Sequence, residues 1–156
     1  MLYYVKVRLH NQSIGRFTVL INPEIMNDRI IKFWDKQAEN YDFSELQLEP
    51  VFINIISKTK QYLDSDDKVL DFGCATGSKT IEIAEFVKFV HGIDISAEMI
   101  NEANKKVRDG GFKNILFTQG DIFEGHIRPE SFNKVVSFGV LHLLENGDKV
   151  VNRIRN

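Results

Sequence analysis

The sequence predicts an α/β fold, a parallel sheet flanked by helices, and three observations carry that reading. Short runs rich in β-branched and aromatic residues recur at 68–72, 89–96, 114–119 and 132–138. Stretches with apolar residues at helical spacing lie between them, the alternation that parallel βαβ units with right-handed crossovers require. The third observation is Gly73-Cys74-Ala75-Thr76-Gly77, a run of small residues where the first of those strands gives way to a helix. At 156 residues, 43% hydrophobic and 27% charged, the chain has an ordinary globular composition, which predicts one domain with a sizeable core.

Taken in order, residues 2–9 and 16–21 read as strands around the turn 11–15. Residues 49–63 place Val51, Phe52, Ile55, Ile56 and Tyr62 at helical spacing, a packing helix that stops at the polar turn Asp64-Ser65-Asp66-Asp67. The strand 68–72 carries Asp71 near its end, and an amphipathic helical pattern runs from 78 to 86. Between them Gly73 and Gly77 can take φ > 0 without steric cost, and the small loop lets a nucleotide-like ligand come close to the backbone. The second sheet strand carries Asp94 near its end. Ser96 is placed to cap a helix to about residue 109, with Met99, Ile100, Ala103 and Val107 inward and Gly110-Gly111 as its stop. Two further strands follow, and the chain ends at Asn156 within a helical stretch.

Three ligand chemistries use such a loop, and spacing separates them. The dinucleotide pattern G-x-G-x-x-G needs glycines at 73, 75 and 78, where this chain has Gly73, Ala75 and Ser78. The phosphate-cradling G-x-x-x-x-G-K-[ST] aligns with Gly73, Ser78, Lys79 and Thr80, failing only at its second glycine, and competes. The third reads Asp71-x-Gly73-x-Ala75-x-Gly77. It resembles motif I of the class I S-adenosylmethionine-dependent methyltransferases, D-x-G-x-G-x-G, with Ala75 in place of the middle glycine.

Later stations similar to that family follow in order. An acid, Asp94, ends the second strand; Gly120-Asp121-Ile122 follows the third; Phe132-Asn133-Lys134-Val135-Val136 leads into Leu141-His142-Leu143-Leu144, with Asn133 and Leu143 departing from the commonest residues. Upstream, Phe33-Trp34-Asp35-Lys36-Gln37-Ala38-Glu39-Asn40-Tyr41-Asp42 looks like the first helix of the small-molecule, type 11/25-like branch. A phosphate-binding nucleoside triphosphatase gives no reason for Asp71 or for that tyrosine helix.

The resemblance implies a Rossmann-like sheet in the order 3-2-1-4, with S-adenosylmethionine above the carboxyl ends of strands 1 and 2. It implies that Asp94 accepts both ribose hydroxyls, that Asp121 bonds the adenine amino group, and that Tyr41 approaches the methionine end. Asp71, Gly73, Cys74, Ala75 and Gly77 would surround the cofactor from the loop, and Ile95, Met99, Ile122 and Phe138 would line it. The family continues beyond a fourth strand with another helix and further strands, so the resemblance implies a C-terminally truncated domain over 26–156. Residues 1–25 are then an added hairpin or upstream sequence.

Methyl transfer is a displacement at a sulfonium, so few catalytic side chains are needed. His142 is the candidate base for an acceptor that must lose a proton, against a structural role capping or packing the next helix. Structural roles are expected for His10, His91 and His126, and Phe33 and Trp34 are expected in the core. The segment after strand four lacks an N-P-P-Y-type loop, Glu145 has no second glutamate arranged beside it, and no clustered acids suggest a magnesium site, so a small organic acceptor is expected. The alternative is a truncated, non-catalytic cofactor-binding or interaction module.

Net charge is -2 with pI near 6.1, and no apolar run approaches the ~18 residues of a membrane span. Neither nucleic acid nor membrane is expected as a partner. The lone cysteine, Cys74, fits a reducing compartment, so the expected location is cytoplasmic. Val135, Val136 and Phe138 lie on a strand expected at an open edge. That edge predicts cover by the N-terminal hairpin or pairing with a second copy into a homodimer.

Overall fold

In the computed structural model, strand β1 (Lys68–Phe72) buries every residue after Lys68, which a strand covered by helices on both faces must do. Residues 23–46, 48–123, 127, 131–144 and 147–155 are described. β2 (Phe89–Asp94) and β4 (Lys134–Val136) pair with β1, and β3 (Ile115–Gln119) pairs with β2, all parallel, giving the order β3-β2-β1-β4. The expected order and parallel sense are therefore observed. In register, Val69 faces Val90 and Asp71 faces Gly92.

Alternation along β1 divides the core. Val69 joins Val90, Ile115 and Phe117 beneath α2 (Glu49–Lys60), α3 (Ser78–Ala84) and α4 (Ala97–Gly110). Leu70 and Phe72 join Ile93, Ile122 and Val150 on the opposite face, under α5 (Gly147–Arg155). α1 (Pro23–Leu46) is a 24-residue helix that reaches across to α4. It starts three residues before Met26, so the expected boundary at 25/26 falls inside it. α4 carries the caps its sequence announces: the Ser96 hydroxyl accepts the Met99 N–H, and Gly111 closes the helix at φ 68°. No described helix is long and apolar enough to cross a membrane.

Several expectations are corrected. α2 ends at Lys60 and buries Ile56, but Val51 is 53% and Tyr62 73% exposed, because helical spacing fixes a stripe without supplying a partner for it. Phe33, expected in the core, is 55% exposed on the outer side of α1. The fourth strand is only three residues long, and among the described residues it pairs with β1 alone. The N-terminal hairpin expected to cover its other edge lies outside the described residues, as do His10, His126 and Glu145.

The polar turn before β1 proved structural. Asp67 is buried and accepts the Asp64 N–H, the Asn133 amide at 2.6 Å and the Lys134 ammonium at 2.8 Å. The Lys134 hydrogen bond is the main influence that lowers the Asp67 carboxyl below its ordinary value. Asn133, a departure from the family pattern, also accepts the Lys68 N–H through Oδ1 at 2.6 Å, tying the start of β1 to the start of β4. Asn133→Ala is expected to cost about 1 kcal/mol of stability in urea unfolding, and an unchanged midpoint would remove Asn133 from the account.

Candidate functional site

A cleft of about 500 Å³ runs along the carboxyl ends of all four strands. Such a position follows from parallel βαβ topology, where helices fill both faces and the loops after the strands are left to meet a ligand. β1 contributes Phe72 and Gly73, then Ala75 of its loop; β2 contributes Asp94 and Ile95; β3 contributes Gln119, Gly120 and Asp121; the segment after β4 contributes Phe138, Gly139 and Val140. Met99 projects from the first turn of α4, and Ile30, Ile31, Trp34 and Tyr41 of α1 form the facing wall. Leu143 and Leu144 complete it.

Of the residues singled out from sequence, Tyr41, Gly73, Ala75, Asp94, Ile95, Met99, Asp121 and Phe138 line this cleft. Asp71, Cys74, Gly77, Ile122 and His142 do not. Asp71 is fully buried beneath α3, where its Oδ2 accepts the Thr80 hydroxyl at 2.6 Å and its Oδ1 has no hydrogen-bond partner among the described residues. Burial pushes its carboxyl up to about 7. Cys74 packs in the core, where burial, with the nearby Asp71 and Asp94 charges, pushes its thiol up. Ile122 is buried on the α5 side of the sheet. His142 sits exposed in a short 3-10 turn (Leu141–Leu143), while its neighbour Leu143 faces the cleft. His91 is buried on β2, with Nε2 2.8 Å from the Thr118 hydroxyl.

The glycines of the loop also carry a packing constraint. Gly73 and Gly77 take φ 75° and 76°, as expected. A Cβ on Gly77 would stand 2.4 Å from the Phe117 ring, and one on Gly73 would stand 2.2 Å from Val140 Cγ2. Contact with the Phe117 ring and with Val140 is therefore a second reason for glycine at these positions, and Gly73 and Val140 both line the cleft. Ala75, at φ 49°, holds the same left-handed region without being glycine, and its N–H donates to Asp94 Oδ2 at 2.9 Å.

Asp94 is the electrostatic centre of the cleft. Its Oδ1 accepts the Ser96 N–H at 3.0 Å, so each carboxylate oxygen is held by one backbone amide and keeps further acceptor capacity. Burial raises its pKa despite those amides. Tyr41 is pushed up to about 12, first by burial and then by the charges of Glu45, Asp94 and Asp42, so its hydroxyl is a neutral donor. Asp121 lies at the end of β3 with Oδ1 accepting the Phe123 N–H. Two carboxylates with apolar Ile95, Met99 and Phe138 suit a nucleoside: acceptors for hydroxyl and amino groups, and a greasy wall for a base.

The side chains of the competing phosphate-binding pattern are turned elsewhere. Ser78 donates to Asp42 at 3.0 Å, Thr80 donates to Asp71, and Lys79 pairs with Glu45 while lying over the Phe52 ring. Trp34, Ile30 and Ile31 were missed as cleft residues. Their signal was the spacing of Ile30, Trp34 and Tyr41 along one stripe of α1.

The sheet order, the switch from helices on one face to the other, and a cleft with acids after β2 and β3 define the Rossmann-like fold of the class I S-adenosylmethionine-dependent methyltransferases. Residues 63–156 match the methyltransferase domain family model, and the chain belongs to that family. Over 91 residues it is 34% identical to a probable cobalt-precorrin-6B C(15)-methyltransferase (decarboxylating) of Methanococcus maripaludis, covering 58% of this chain and 50% of that protein. Over 101 residues it is 29% identical to a 23S rRNA (uracil(1939)-C(5))-methyltransferase of Haemophilus ducreyi, covering 61% of this chain and 23% of that one. The solved complex of DhpI with SAH superimposes with a TM-score of 0.69 at 20% identity, covering 86% of this chain and 64% of that chain. The chain spans half or less of the length of the curated relatives it matches.

Proposed function

We propose that the chain binds S-adenosylmethionine in the strand-end cleft and serves methyl transfer to a small-molecule acceptor, with S-adenosylhomocysteine as the product. The observation that carries this reading is the single wall formed by Gly73, Ala75, Asp94, Ile95 and Asp121, drawn from three strand ends. When bound, S-adenosylmethionine supplies an electrophilic methyl group on a sulfonium. The chain's own residues then bind, orient and exclude water. Asp94 would hold the ribose hydroxyls and Asp121 the adenine amino group. Ile95, Met99 and Phe138 would line the base, and the neutral Tyr41 hydroxyl would face the methionine end.

A small acceptor is supported by the apolar side of the cleft, where Ile30, Ile31, Trp34 and Leu143 offer contacts suited to a compact organic molecule. The relatives act on acceptors as different as a cobalt-precorrin and rRNA, so acceptor class rests on this chain's own wall. A cytoplasmic location is part of the proposal and is supported by the lone, buried Cys74. Cofactor binding without turnover is the second reading, favoured by the position of His142 off the cleft wall.

Calorimetric titration is the test: S-adenosylhomocysteine is expected to bind one site per chain, and ATP with magnesium to give no comparable heat. Absence of S-adenosylhomocysteine binding, or a preference for ATP with magnesium, would overturn the proposal. Binding without methyl transfer to any acceptor would favour the second reading.

A further inference from the structure

α1 repeats an aromatic–aspartate pair at a spacing of seven, Trp34-Asp35 and Tyr41-Asp42. Seven residues are two helical turns, so the two aromatics share one direction and the two carboxylates another, with buried Ala38 between the carboxylates. Trp34 and Tyr41 face the cleft, their rings in edge contact at 6.4 Å. The carboxylates reach the two loops that flank it. Asp35 Oδ1 accepts the Ser96 hydroxyl at 2.6 Å and the Glu98 N–H at 3.3 Å, just after β2. Asp42 Oδ1 accepts the Thr76 hydroxyl at 2.5 Å and the Ser78 hydroxyl at 3.0 Å, just after β1, while its Oδ2 pairs with Lys106 at 2.5 Å.

These bonds close a circuit. Ser96 donates its hydroxyl to Asp35 and its N–H to Asp94; Asp94 also accepts the Ala75 N–H; and Thr76, next along the loop, donates to Asp42. Ser96 and Thr76 are 0% and 1% exposed, so their hydroxyls are committed to these partners. Asp94, the cleft's central acceptor, is thus one link in the chain of bonds that docks α1.

The geometry points to a ligand-coupled clasp: Asp35 and Asp42 are positioning residues that dock α1 on both ligand-binding loops, so that occupancy of the cleft and docking of α1 strengthen each other. A ligand bonded to Asp94 immobilises the loops that α1 grips, and linkage makes the effect reciprocal. The docking half stands on the ligand-free geometry. The coupling half rests on the proposed cofactor reading.

The test combines amide exchange across residues 30–42, emission from Trp34, the only tryptophan, and titration with S-adenosylhomocysteine. In the ligand-free Asp35→Ala/Asp42→Ala chain, α1 exchange is expected to rise about tenfold or more while β1 and β2 keep their protection, with Trp34 emission shifted to the red. Affinity for S-adenosylhomocysteine is expected to fall about tenfold. Asp35→Asn/Asp42→Asn, which keeps carbonyl acceptors for the hydroxyls, should recover most of both losses. Unchanged α1 exchange in the Ala variant overturns the clasp, and equal affinity in wild type and Ala variant overturns the coupling. If the double Ala variant also loses sheet protection, the single Asp35→Ala and Asp42→Ala variants decide by the same readings. A wild type that binds no S-adenosylhomocysteine overturns the cofactor reading, and ligand-free exchange alone then decides the clasp.

Discussion

Wild-type stability is expected to fall, relative to Asp71→Asn, by about 3 kcal/mol as pH rises from about 4 to about 7. Asp71 lies fully buried between β1 and α3 with one carboxyl oxygen unpaired among the described residues, and burial lifts its pKa to about 7. The same carboxyl in the unfolded chain titrates near ~3.9. Between those values the folded chain keeps a proton that the unfolded chain has released, so each rise in pH favours unfolding. Below the unfolded value both states are protonated and the stabilising contribution is complete; above about 7 both are ionised and the slope vanishes. Asn keeps an acceptor for the Thr80 hydroxyl and cannot ionise. Asp94 is also raised by burial and adds a slope of the same sign, but it is present in both proteins. Urea unfolding across this pH range is the measurement, and parallel stability curves for the two proteins would refute the assignment.

Asp94→Ala is expected to weaken S-adenosylhomocysteine binding roughly 30-fold or more, because two charge-assisted hydrogen bonds to ribose hydroxyls are worth about 2–4 kcal/mol. The substitution also removes the acceptor for the Ala75 and Ser96 amides, so part of the loss is loop order. Asp94→Asn separates the two effects: it keeps an acceptor of the same shape and loses the charge, and is expected to fall between wild type and Ala. Since burial raises the Asp94 pKa, acidification should weaken binding at a higher pH than an ordinary carboxyl would allow. Calorimetry that gave wild-type affinity in both variants would remove Asp94 from the site.

The α4 caps were legible because they are local. Ser96 bonds an amide three residues on, and Gly111 needs only its own φ. Asp94 and Asp121 were legible as cleft acids because parallel topology carries every strand end to one side of the sheet. Less legible were the roles of neighbours in that same loop. Asp71 stands level with Gly92, two positions short of Asp94 along the sheet, and that decides between a seat under α3 and a place in the cleft. Gly77 takes the φ > 0 expected of it, but its contact with the Phe117 ring, forty residues on in sequence, left no local signal.

From sequence alone came the alternation of parallel strands and helices, the strand order through the family resemblance, the small-residue loop and the acids after strands two and three. Each of these depends on periodicity, on local backbone chemistry or on motif order, which a chain carries before it folds. Tertiary structure alone decided that Asn133 joins the start of β1 to the start of β4, that Val51 and Tyr62 face outward, and that α1 closes the cleft through Asp35 and Asp42. Those outcomes hang on bonds between residues 65, 61 and 34 positions apart, or on which face of α2 the described residues leave exposed. No local pattern encodes a distance of that kind; it exists only once the sheet has set the loops beside the helix.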